Sequence, residues 1–252
     1  MTAGALLLAV ALSVGHVQPD WRTTQSAHFE IHYLPGQIDD VDRAVRAAEA
    51  AYARVSDRLH FVLARRVPLV LFSRSGPLTD QQVATFAMSD AVAPQWPHRS
   101  RIVLPLADAD MPVDARIVHE LTHLLSYEII LPGRGGDGGL PRWVREGLAS
   151  YMVGAWSDDE TRLVRELAAS GHVPALSQLA GDAGFTNPRL NDAIGHAAFD
   201  FIEARWGRDG IRRFWDALIV PRGERTYDAV FELTPAQFDT AFRDYAERRF
   251  KS

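Results

Sequence analysis

Val113-Asp-Ala-Arg-Ile-Val-His119-Glu-Leu-Thr-His123-Leu-Leu-Ser-Tyr-Glu-Ile-Ile130 sits at the point where the chain changes character. Its apolar residues Ile117, Val118, Leu121, Leu124 and Leu125 recur at helical spacing, so it reads as a helix with one face buried. Upstream of it the patterns are largely those of strands. His28 to Tyr33 alternates apolar Phe29, Ile31 and Tyr33 with polar neighbours, Val67 to Phe72 is a short apolar run, and Arg101 to Leu106 is a third strand. Pro105 cannot donate to a ladder and places that third strand at a sheet edge. Between the first two lies an Ala-rich amphipathic helix from about Asp39 to Leu59, carrying Val41, Val45, Ala48, Tyr52 and Val55. Thr79 with Gln82 predicts a short capped helix. Downstream the pattern is helical throughout, at roughly 114 to 130, 141 to 154, 158 to 169, 190 to 206, 209 to 219 and 235 to 250. Thr234, Pro235 and Gln237 mark the last start with a cap, a first-turn proline and a capping-box partner. Strands followed by helices predict an α+β fold: a small mixed sheet with helices over about 17–125, including the central helix, then an all-helical lobe over about 126–252.

His119-Glu120-Leu121-Thr122-His123 carries the chemistry. Two His four apart lie one turn from each other on the same helix face, so both imidazoles can reach one metal ion, and Glu120 lies beside them within reach of a water there. The competing reading is a pair of polar His on a solvated face. Burying both among Leu and Ile without a partner would be costly, which weighs against it. A catalytic zinc usually takes three protein ligands and keeps one open position. Glu146, in Pro141-Arg-Trp-Val-Arg-Glu-Gly-Leu-Ala149, is the candidate third ligand because it stands among apolar Trp143, Leu148 and Ala149, with a solvated surface Glu as the alternative. The adjacent Gly147 would let this second helix approach another closely.

The pairing of His-Glu-Leu-Thr-His with Trp143-Val-Arg-Glu-Gly-Leu-Ala149 resembles the gluzincin metallopeptidases of the peptidase MA clan, and the small peptidase MA-like bacterial proteins in particular. The resemblance implies a thermolysin-like architecture with the active-site cleft between the lobes. It also implies one zinc per chain on His119, His123 and Glu146, with Glu120 as general base. Three features depart from the family. Residues 124 to 145, twenty-two in number, form a longer separation between the second His and the Glu than in aminopeptidase N-like enzymes. The Gly-Ala-Met-Glu-Asn motif that captures a free amine there has no counterpart, so aminopeptidase activity is not expected. The segment Asn191 to Phe199 lacks the Tyr that relatives tend to place over the oxyanion; His196 is the substitute candidate, and a packed core His is the alternative. Tyr151 is expected to pack.

Composition narrows the partners. Lys plus Arg is 27 against 32 for Asp plus Glu, a formal charge of −5, and this offers no footprint for nucleic acid. There is no Cys, so a metal must be held by His and carboxylates. Gly133-Arg-Gly-Gly-Asp-Gly138 matches a dinucleotide fingerprint literally but follows a helix, so nucleotide binding is not expected and a connection across a cleft mouth is. The aromatics Phe199, Phe201, Trp206, Phe214 and Trp215 fall at helical spacing and predict the core of the helical lobe. Residues 1–16 are apolar for about a dozen positions, too few to span a bilayer. They fit a signal peptide or hydrophobic leader, and hence an exported protein whose membrane association would run only through that segment, with a cytoplasmic location as the alternative. The expected activity is hydrolysis of peptide or protein substrates. The rival expectations are a peptidase-like binding or assembly module of the envelope, and a zinc hydrolase acting on a non-peptide amide.

Overall fold

The computed structural model describes residues 20–36, 38–72, 101–106, 111–134, 140–179, 188–219 and 225–251. The apolar stretch at residues 1–16, the expected Thr79 cap and most of the glycine-rich connection lie outside them. The described chain is a mixed α+β fold with a small N-terminal sheet followed by helices.

Four strands, β1 (Arg22–Gln25), β2 (Phe29–Tyr33), β3 (Val67–Phe72) and β4 (Ile102–Pro105), form one sheet in that order. β1 pairs antiparallel with β2, whereas β2, β3 and β4 run parallel. Two parallel neighbours explain why β3 is apolar at nearly every position: all six of its residues are buried. β4 ends the described sheet, with Pro105 opposite Phe72. β1 has no counterpart among the expected strands, because Arg22-Thr-Thr-Gln25 has no apolar alternation to announce it.

Helix α1 (Ile38–Leu59) connects β2 to β3 and buries Val41, Ala44, Ala48, Ala51, Val55 and Leu59, a stripe of spacing three and four. It packs beside α2 (Val113–Arg134), the metal-motif helix, which also touches β4. α2 runs unbroken through residue 125. Then come α3 (Arg142–Val153), α4 (Asp158–Ser170), a 3₁₀ turn (Leu176–Leu179), α5 (Pro188–Ile219), α6 (Arg225–Phe231) and α7 (Pro235–Phe250). The two expected helices at 190 to 206 and 209 to 219 are the halves of α5, broken at Gly207, whose φ of 67° suits a residue without a Cβ. α4 and α7 both open on complete capping boxes, Ser157 with Glu160 and Thr234 with Gln237. The expected aromatic core is present: Trp143 lies 6.1 Å from both Phe199 and Phe214, and Phe201 lies 5.4 Å from Trp206. One hydrophobic cluster joins the sheet, α1, α2 and the C-terminal helices.

Candidate metal centre

His119 and His123 project from one face of α2 because they are one turn apart, and their rings meet edge to face at 4.7 Å. The two Nε2 atoms are 3.1 Å apart. Glu146 on α3 brings Oε2 to 3.2 Å from His123 Nε2 and 3.7 Å from His119 Nε2. Three donor atoms from two helices therefore converge, and His119, His123 and Glu146 form the group among the described residues that could hold a metal ion.

Backbone contact fixes where α3 carries Glu146. Gly147 faces Gly195 of α5 so closely that a Cβ on Gly147 would stand 2.4 Å from the Gly195 backbone, and one on Gly195 would stand 2.4 Å from the Trp143 carbonyl oxygen. The close approach expected of Gly147 is thus made with Gly195. Trp143, on the same helix as Glu146, anchors α3 in the aromatic core.

The electrostatics follow from three titratable groups sharing one half-buried spot. Burial would lift the Glu146 carboxyl, but hydrogen bonds and charge from His119 and His123 overcome it and hold Glu146 well below the usual carboxylate range. For His119 burial favours the neutral ring, yet the hydrogen bond that Glu146 accepts from it and the charges of Glu120, Glu146 and Asp192 outweigh it and raise the imidazole. The same Nε2 lone pairs would bind a metal, so a metal would compete with protons for them. His119 Nδ1 is buried with no hydrogen-bond partner. Glu120 is half-buried next to His119, where a general base would stand.

His196 is not in this group. Its ring is 1% exposed and stacks on Trp156 at 4.2 Å, with Nδ1 4.0 Å from Glu160 and Nε2 4.0 Å from Asp200. This is the packed alternative weighed for it. Trp156 Nε1 in turn donates to Asp200 at 3.1 Å. Tyr151 packs as expected: buried, it donates its hydroxyl to Glu203 at 2.9 Å. Ser150, one turn beyond Glu146, is also buried.

Asp192 is the residue that motif reading passed over. Burial and the Glu146 carboxylate push its carboxyl up to about 6, against the opposing pull of His119. Only the Gly147–Gly195 crossing tells that a residue three positions before Gly195 falls beside the trio; no pattern within 188 to 196 shows it. Comparison of the chain with protein-family models, with curated proteins and with solved structures finds no match.

Proposed function

We propose that the chain is a zinc-dependent peptidase of the gluzincin kind. The observation that carries this reading is the convergence of His119 Nε2, His123 Nε2 and Glu146 Oε2 from two helices, with Glu120 next to His119 in the chain. Two imidazoles and one carboxylate suit a catalytic zinc with an open fourth position, and the closeness of the three donor atoms supports that reading. When bound, zinc would supply Lewis-acid activation of the scissile carbonyl and of the attacking water. Glu120 would act as the general base, holding on its carboxylate the proton taken from the attacking water and giving it to the departing nitrogen. His119 and His123 would offer Nε2, the ring nitrogen that each turns toward Glu146. A sheet lobe before the motif helix and helices after it accord with the thermolysin-like plan that the motifs imply. The apolar leader makes export part of the same reading.

The test begins with the metal content of protein purified without added metal, beside Glu146→Ala. About one zinc per chain in the parent and a large loss in the variant are expected. Glu120→Gln should keep the zinc and lose about 10²-fold or more in peptide cleavage, since general-base catalysis contributes on that order. Peptide cleavage by Glu120→Gln at the parent's rate would overturn the mechanism.

A second reading draws on the position of His196. It faces Glu160 and Asp200 rather than the trio, so it does not serve as an oxyanion donor in this arrangement. A zinc-bearing module that binds without hydrolysing is the alternative, and it predicts zinc uptake without cleavage of any peptide in a library.

A further inference from the structure

A cleft of about 710 Å³ opens between the start of α2, the end of α3, the loop at 154–157, α4 and the first turn of α5. Asp192 lines it from one turn before Gly195, whose backbone meets Gly147 next to Glu146, and so stands between the cleft and the metal-competent trio. The metallopeptidase reading does not say what such a space would hold. Its walls are partly apolar, with Trp156 and Leu163 along α4 and the loop before it. Trp156 is held rigidly by its stack on His196 and its bond to Asp200.

The charges in the cleft decide the class of ligand. Five carboxylates line it, at Asp158, Asp159, Glu160, Glu166 and Asp192, against three arginines at Arg116, Arg162 and Arg189. Asp159 takes up two of the arginines, bonding Arg162 at 2.5 Å and Arg189 at 2.7 Å. Arg116 has a partner of its own. Glu160 Oε2 accepts from the Ser157 N–H and hydroxyl, and Oε1 faces His196. Asp158, Glu166 and Asp192 are left without an ion pair among the described residues, and Asp192 is the one set back beside the trio.

We propose that this cleft holds a cationic group of the peptide substrate, an ammonium or a guanidinium, with Asp192 as its anchor. The inference rests on the metallopeptidase reading. A long basic side chain matches both features of the cleft, since its aliphatic stem packs on Trp156 and Leu163 while its head meets the carboxylate. Asp192 adjoins the trio, so a residue held there lies next to the scissile bond, and the cleft selects the sequence that is cut.

Binding is measured on Glu120→Gln protein loaded with zinc, using N-acetylated, C-amidated alanine-based peptides that carry one Lys or one norleucine. A second pair compares a Lys-free peptide with a free amino terminus against its acetylated form. The expected result is about tenfold tighter binding of the Lys peptide, falling as salt is raised, as for a charge-assisted hydrogen bond in a partly screened site. A preference in the second pair instead assigns the cation to the chain terminus. Asp192→Asn should reduce the preference to about twofold or less, and Asp192→Glu should retain it. Equal binding of both members of both pairs overturns the proposal, as does a preference that survives Asp192→Asn. Should Asp192→Asn fail to fold, the double variant Asp158→Asn/Glu166→Gln decides in its place: it should retain the preference, and a loss there would assign the cation to those carboxylates and overturn Asp192 as its anchor. Cationic preference with no cleavage by the parent would sink the peptidase reading and leave the cleft assigned. Cleavage with no cationic preference would do the reverse.

Discussion

Gly147 shows how one hydrogen atom in place of a methyl group positions a metal ligand. A Cβ there would overlap the Gly195 backbone at 2.4 Å, and backbone cannot yield as the end of a flexible side chain can. Gly147→Ala must therefore push α3 away from α5 and carry Glu146 with it. We expect a loss of about 1 to 3 kcal/mol in denaturant unfolding, the range of overpacking in a tight core. Zinc affinity should weaken as well, which a chelator competition would read. Unchanged affinity in Gly147→Ala would mean that the crossing does not set the ligand's position. The same residue scale explains His196: a ring stacked on Trp156 and 1% exposed is bound up in packing whatever the motif around it suggests.

Among the elements, α4 is tied at its start. Ser157 caps it, accepting from the Glu160 backbone N–H, while Glu160 Oε2 accepts from Ser157 in return and Oε1 faces His196 on α5. Ser157→Ala should cost about 1 kcal/mol by removing the cap. Glu160 adds a pH dependence. Burial would raise its carboxyl, but the bonds from His196 and Ser157 prevail and hold it below the model-peptide range. A carboxyl lowered on folding contributes stability that is present above its unfolded value, near pH 4.3, and is lost as the pH falls through the folded value. Glu160→Gln should accordingly show a shallower loss of stability between about pH 5 and pH 3 than the parent, in urea titrations at each pH. Equal acid sensitivity in the two proteins would remove Glu160 from the account.

For the whole molecule, the trio links α2, which packs with α1 and the sheet, to α3, which packs in the aromatic core. A metal that binds the folded arrangement and not the unfolded chain stabilises it by mass action, by about 2.7 kcal/mol at a hundredfold excess over Kd. Thermal unfolding should move up on adding zinc and fall on adding chelator. In Glu146→Ala the zinc shift should largely vanish. A melting temperature indifferent to zinc in the parent would show that the three donors do not act together. Among the described residues no helix is long and apolar enough to cross a membrane.

The local patterns were enough to state that strands precede helices, that α1, α3, α4 and α7 begin and end nearly where they do, and that His119, His123 and Glu146 are candidate partners. Those are properties of residues near one another in the chain: apolar period, caps, a proline, two His one turn apart. β1 was not legible because Arg22-Thr-Thr-Gln25 becomes a strand by pairing with β2, a contact its own residues do not announce. α6, seven residues long, was missed for a similar reason: it is too short to display a period. What tertiary structure alone decided is how distant segments meet. It joined Glu146 to the two His across the Gly147–Gly195 crossing, turned His196 toward Glu160 and Asp200, and placed Asp192 between the trio and the cleft. Local sequence sets which face of a helix is apolar; which other helix that face meets, and which side chains then share a volume, depends on the packing of the whole core.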